Sequence, residues 1–288
     1  MDSESDQFDP RAADLWHEIE AARVPAGTLA MWWLGQEGWV IRGGGLTLAI
    51  DAFLSDFGSY GRAYLPPLDP RAMTSLDMVI GTHNHVDHID PIGFPQMMDA
   101  SPAAIGIVPE AVRDAVVAMD VAPQRLRGAL VDTVIEHGGA RITPIPAVHA
   151  DKPLEGYDFY LDAEGRHTFL GYVFEIDGVR FCHLGDTLPY PGLVERLQGL
   201  ELDLLMVPIN GRSWFREVRG FAGNMNVFEA AEFADLVAPR LCIPMHHDLF
   251  PVNAEHASHF VEYAERYHPR VMTLVPVLGR RIDIVGAR

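Results

Sequence analysis

The stretch Met78-Val79-Ile80-Gly81-Thr82-His83-Asn84-His85-Val86-Asp87-His88-Ile89-Asp90 decides how the chain is read. Its first residues are an apolar run of strand character, and its remainder packs three imidazoles and two carboxylates into a few positions. Ordinary structure has no use for that density: a polar cluster capping a helix near Pro91 would account for Asp90 but not for the histidines. Alternate positions on an extended segment face the same way, so His83 and His85 are expected to converge on one cation. Asp87 and His88, in the following turn, are expected to reach a second. Neutral imidazole with carboxylate suits zinc, manganese or iron.

Working outward, the flanking sequence alternates between buried strands and helices. Short apolar runs from Leu29 to Asp51, broken by Gly35, Gly38 and Gly43-Gly44-Gly45, predict a β-meander. Hairpins are expected at Gly138-Gly139 and at Asp177-Gly178. Helices are expected over Pro109 to Ala118, through VFEAAEFADLVA and from about Asn253 to Tyr267, with VMTLVPV and RIDIV as closing strands. Asp9-Pro10 followed by Leu15, Ile19 and Ala22 predicts an N-capped helix outside the main fold. Trp32, Trp33 and Trp39 lie on strand-like segments and are read as core.

Composition excludes several classes. Of 288 residues 48% are hydrophobic, ample for a core, and 22 basic against 40 acidic residues leave a net charge of −18. Lys152 is the only lysine and the arginines form no basic run, so nucleic acid and anionic lipid surfaces are poor partners. Cys182 and Cys242 are too few and too far apart for a disulfide framework or a CxxC motif. The acidic N-terminus and the lack of a long apolar run predict a cytoplasmic protein that does not enter a membrane. No GxGxxG, GxxxxGK[ST] or GxSxG element stands at a strand-to-helix junction.

His83-x-His85-x-Asp87-His88 resembles the signature of the metallo-β-lactamase-fold hydrolase superfamily. Ala26-Gly27-Thr28-Leu29-Ala30-Met31-Trp32-Trp33-Leu34-Gly35 and Ile243-Pro244-Met245-His246-His247-Asp248 are similar to its L-ascorbate-6-phosphate lactonase branch, and the resemblance runs from about Pro25 to the C-terminal strands. It implies a four-layer αββα sandwich over 25–288 with the metal site at one sheet edge, and the N-terminal helix read above makes 1–24 a helical extension. It also implies the remaining ligands: His149 at the end of RITPIPAVH, Asp186 as a carboxylate bridging two metals, and His246, with the adjacent His247 as competitor. Asp51, ending LTLAI, matches a carboxylate that supports the ligand loop, with a plain helix cap as the alternative.

The implied cofactors are two divalent ions, zinc or manganese, or iron. Manganese follows from the lactonase resemblance, and zinc from the histidine count. The implied reaction is attack of a metal-bound hydroxide on a small, anionic, sugar-type lactone, with Asp87 holding metal and passing a proton to the leaving ring oxygen. Three arginines in Ile209 to Asn226 stand out in so acidic a chain. Arg216 and Arg219 are the candidate anion binders, against the alternative of pairing with acids such as Glu217, and Arg219-Gly220 matches a pair in the lactonase branch. Two features depart from that branch: Gln36-Glu37 occupies the turn after Gly35, and the chain is shorter. A phosphodiesterase acting on a small phosphate ester is the second enzymatic reading. A non-catalytic metal-binding or sensing module is the reading outside enzymes, and oligomeric state is not legible.

Overall fold

The computed structural model describes residues 7–56, 61–149, 159–219, 221 and 223–287. Two sheets face each other. The first holds β1 (Thr28–Gly35), β2 (Gly38–Gly43), β3 (Leu46–Ile50), β4 (Met78–Ile80), β5 (Ile105–Pro109), β6 (Leu126–Ala129) and, last in the chain, β13 (Arg281–Val285). The second holds β7 (Ile135–His137), β8 (Ala140–Pro146), β9 (Leu170–Ile176), β10 (Val179–His183), β11 (Leu204–Pro208) and β12 (Cys242–Met245). Strand order is β13-β1-β2-β3-β4-β5-β6 in the first and β12-β11-β10-β9-β8-β7 in the second. Strands β3 to β6 run parallel, as do β10 to β12.

β1 shows how sequence makes the layers. It is buried along its whole length because its two faces serve two cores: Leu29, Met31 and Trp33 enter the inter-sheet core, while Ala30, Trp32 and Leu34 face the outer helices. The inter-sheet core is completed from the second sheet by Tyr172, Phe174 and Phe181, the last two stacked with ring centroids 4.5 Å apart. Outside the first sheet lie α1 (Ala12–Ala21), α2 (Gly93–Ala100) and α3 (Arg113–Val117). Outside the second lie α4 (Leu193–Leu197), α6 (Val227–Val237) and α7 (Ala257–Tyr267), which bury Leu193, Ala230, Phe233 and Phe260. α5 (Trp214–Glu217) is a single exposed turn. The result is helix, sheet, sheet, helix, the αββα arrangement.

Asp177 and Gly178 both have positive φ, 50° and 80°, as a tight two-residue hairpin requires, and they join β9 to β10. Three local expectations are corrected. Pro109 to Ala118 splits into a short tight turn and the five-residue α3, because the strand runs through Pro109. The segment Val271–Val277 forms only a bridge between Thr273 and Cys242. α1 does not stand apart, since Trp16 and Ile19 are buried in the same cluster as Trp32, and the Arg42 guanidinium donates to the backbone carbonyls of Ile19 and Glu20. Among the described residues no helix is long and apolar enough to cross a membrane.

Candidate metal centre

Strand ends from both sheets deliver chemistry to one edge. β3 leads directly into Asp51, β4 to the loop His83–His88, β8 to His149, β10 to Asp186 and β12 to His246. The histidine loop is bent rather than extended, so the expected alternation along a straight segment is not how its side chains converge. Hydrogen bonds from the His88 and Ile89 N–H groups to the His85 carbonyl fold it into a turn.

Donor atoms of His83, His85, His149 and Asp186 lie within 4.8 Å of one another, and so do those of Asp87, His88 and His246. Asp186 joins the two groups. Its Oδ2 lies 3.0 Å from His149 Nε2 and 3.9 Å from His83 Nε2, while its Oδ1 lies 3.5 Å from His88 Nε2 and 3.4 Å from His246 Nε2. One carboxylate oxygen thus faces each group. Asn224 donates from Nδ2 to Asp186 Oδ1 at 2.8 Å.

Asp51 sits behind the loop. Its Oδ1 accepts the Thr82 N–H at 2.8 Å, and its Oδ2 accepts the Thr82 hydroxyl at 2.7 Å and lies 2.8 Å from His88 Nδ1. Holding Nδ1 leaves Nε2 of His88 facing Asp186. Asp90 ties the loop down from the other side, accepting from the Leu54 and Ser55 N–H groups and the Ser55 hydroxyl.

Burial, together with His88 and His85 nearby, holds His83 well below the usual imidazole range. Burial and the neighbouring His149 push His85 down to about 4. Neutral imidazoles are what metal ligation needs. His88 goes the other way: burial opposes its charge, but Asp186, Asp87 and Asp51 around it outweigh that and raise it. The buried Asp186 is held low by His246, His88 and His149.

These residues fit divalent ions. Nε2 of both His83 and His88 is buried without a hydrogen-bond partner among the described residues, and both face the Asp186 carboxylate. Buried polar atoms left unpaired cost about 1–3 kcal/mol each, and a cation held at each group would remove that penalty.

His246 and His247 diverge. His246 takes φ 53°, its N–H donates to the Gln36 carbonyl, and its ring turns to Asp87 and Asp186. His247 stacks on Trp33 with centroids 5.1 Å apart. The Arg216 guanidinium donates to the Asn210 carbonyl at 2.5 Å and to the Ala254 carbonyl at 2.8 Å, which ties α5 to the segment after His247. Arg219, just past α5, is exposed, and its companion Gly220 lies outside the described residues.

Three site residues have no counterpart in the motif reading: Gln36, Glu37 and Asn224. Gln36 Nε2 donates to Asp87 Oδ2 at 2.9 Å and lies 3.1 Å from the His246 ring nitrogens. Glu37 is wholly buried, with neither carboxyl oxygen hydrogen-bonded among the described residues. Burial and the carboxylates of Asp186, Asp51 and Asp87 push its pKa well above the usual range, against the pull of His88. His183 Nε2 donates to the Glu37 carbonyl at 2.9 Å, and its Nδ1 accepts from Gly185 at 3.3 Å, so both ring nitrogens are occupied within the fold. The signal for the first two was present, since Gln36-Glu37 interrupts the apolar run WLGQEGWV.

Residues 47–247 match the family model described as the beta-lactamase superfamily domain. The chain belongs to that family. Its two sheets with outer helices are the metallo-β-lactamase fold. Among curated relatives it is 29% identical over 225 residues to a UPF0173 metal-dependent hydrolase of Methanopyrus kandleri, covering 76% of this chain and 84% of that one. A UPF0173 metal-dependent hydrolase of Cupriavidus taiwanensis is 26% identical over 288 residues, covering 92% and 90% of the two chains. Among solved structures, Igni18, a metallo hydrolase from Ignicoccus hospitalis, superposes with a TM-score of 0.67 at 19% identity, covering 89% of this chain and 98% of that one.

Proposed function

We propose that the protein is a metal-dependent hydrolase working with two divalent ions on a small anionic substrate, a lactone of sugar type being the class the sequence resemblance favours. The observation that carries the reading is the Asp186 carboxylate, which turns one oxygen to each of two ligand groups. In this reading His83, His85 and His149 would hold one ion and Asp87, His88 and His246 the other, with Asp186 shared between them. The UPF0173 relatives named above, described as metal-dependent hydrolases, support the hydrolytic part.

Bound at such a site, paired divalent ions make water a nucleophile at neutral pH and polarise the oxygen of a carbonyl or phosphoryl group. The chain's own residues set the geometry. Asp51 fixes the His88 ring through Nδ1, and Gln36 fixes Asp87 through Oδ2. Asp87 would take at its carboxylate the proton that the attacking water loses and pass it to the ring oxygen as its bond to the acyl carbon breaks. Arg219, exposed beyond α5, is assigned to the anionic group of the substrate.

The test combines elemental analysis of protein purified without chelator with turnover of lactones, phosphodiesters and β-lactams. Two metals per chain and preference for anionic lactones are expected. One metal at saturation would remove the bridged site. Preference for a phosphodiester would transfer the same residues to phosphoryl chemistry. Metal binding without turnover of any class would favour a sensing module.

A further inference from the structure

We infer that Asn224 is a positioning residue for the Asp186 carboxylate, and that the Arg212–Glu229 ion pair at the start of α6 holds it there. The inference rests on Asp186 being a metal ligand. A carboxylate only accepts, so the atom of Asn224 at 2.8 Å from Asp186 Oδ1 is its amide nitrogen. Both side chains are buried, with Asn224 at 0% and Asp186 at 4% exposure, so bulk solvent does not compete for this bond.

Oδ1 is the oxygen that faces His88 and His246, and Oδ2 the one beside His149. Once His149 gives its Nε2 to a metal, it no longer steadies Oδ2 as a hydrogen-bond donor. The Asn224 N–H uses one lone pair of Oδ1 and leaves the other, so it can orient the carboxylate while both oxygens coordinate.

Asn224 is itself held. Arg212 Nη1 donates to the Asn224 carbonyl at 3.0 Å, and the same guanidinium grips Glu229 at 2.6 and 2.5 Å. Glu229 is anchored by the N-terminal capping box of α6, in which Asn226 accepts from the Glu229 N–H and Glu229 accepts from the Asn226 N–H. The next residue, Met225, donates its N–H to the Thr187 carbonyl, beside Asp186. A helix terminus is thereby connected to the carboxylate through Glu229, Arg212 and Asn224, each link a hydrogen bond between named atoms.

The experiment measures zinc affinity by chelator competition on the full chain, with melting of the metal-free protein as the check on folding. Removing a partner that orients a ligand lowers metal affinity about 10- to 100-fold, and this is expected for Asn224→Ala. Arg212→Ala should cause a smaller loss that disappears when Asn224 is already alanine, because it acts through that residue. If Asn224→Ala does not fold, Asn224→Leu keeps the branched shape without the N–H and should show the same loss. Zinc binding as tight as wild type in either folded Asn224 variant, or fully additive losses with Arg212→Ala, would overturn the inference. Asp186→Ala separates the two layers: if it too binds zinc like wild type, the ligand assignment has failed; if it loses metal while Asn224→Ala does not, only the positioning role has failed.

Discussion

Asp51 Oδ2 lies 2.8 Å from Nδ1 of His88, on the side of the ring away from Asp186, so one buried carboxylate chooses which nitrogen His88 presents to the site. The same carboxylate holds the Thr82 N–H and hydroxyl at the root of the histidine loop. Asp51→Asn keeps the shape but removes the charge that favours an Nδ1–H on His88. Metal affinity is expected to fall about 10- to 100-fold, measured by chelator competition. An unchanged affinity would mean that Asp51 serves only as a cap for the loop.

Asp186→Ala removes the carboxylate whose oxygens face both ligand groups. Two cations would then repel without a shared anion between them, and the weaker position is expected to empty. Elemental analysis should fall from about two metals per chain to about one, and the hydrolytic rate should fall with it; if zinc is the metal, water on a lone ion has a pKa nearer ~9. Retention of both metals by a folded variant would point to His247 or Glu37 as an unrecognised ligand.

What the sequence makes legible here follows from range. The candidate ligands and their supporting carboxylate are local to one loop or follow strand ends, and a strand end is readable from an apolar run followed by a polar residue, as at LTLAI-Asp51 and LCIPM-His246. Alternating strands and helices make α/β organisation legible, whereas the αββα layering is implied only by the family resemblance; the burial of β1 on both faces shows why two layers cover it. Asn224 is not legible in the same way. It lies in a loop without periodicity, and what marks it is a contact across 38 residues of sequence. α3 is short because β5 runs through Pro109, and Val271–Val277 is tied to β12 only at the Thr273–Cys242 bridge.

Arg219→Ala tests the assigned anion contact. A hydrogen bond to a charged partner contributes about 1.5–3 kcal/mol, so binding of an anionic lactone should weaken roughly 10- to 150-fold, with little change for a neutral one. Arg219 is exposed, so its removal should leave the melting temperature nearly unchanged. Equal losses on both substrates would remove it from substrate recognition. Arg216→Ala, which frees the Asn210 and Ala254 carbonyls, is expected instead to lower stability and affect both substrates alike.

Glu37 supplies a prediction about pH in the metal-free protein. Burial and three neighbouring carboxylates raise its pKa in the fold above the ordinary 4.5, so between that value and the raised one the folded state holds a proton that the unfolded chain has released. Stability linked to this group is therefore complete below about pH 4.5 and is lost as pH rises toward the folded value, at up to about 1.4 kcal/mol per pH unit. Glu37→Gln keeps the size and never ionises. The variant should match the wild type in acid and become the more stable of the two as pH rises, an effect read from urea unfolding at a series of pH values. Parallel pH curves for the two proteins would show that Glu37 gains no extra proton affinity on folding, and that its unpartnered oxygens are satisfied by a group other than its own proton.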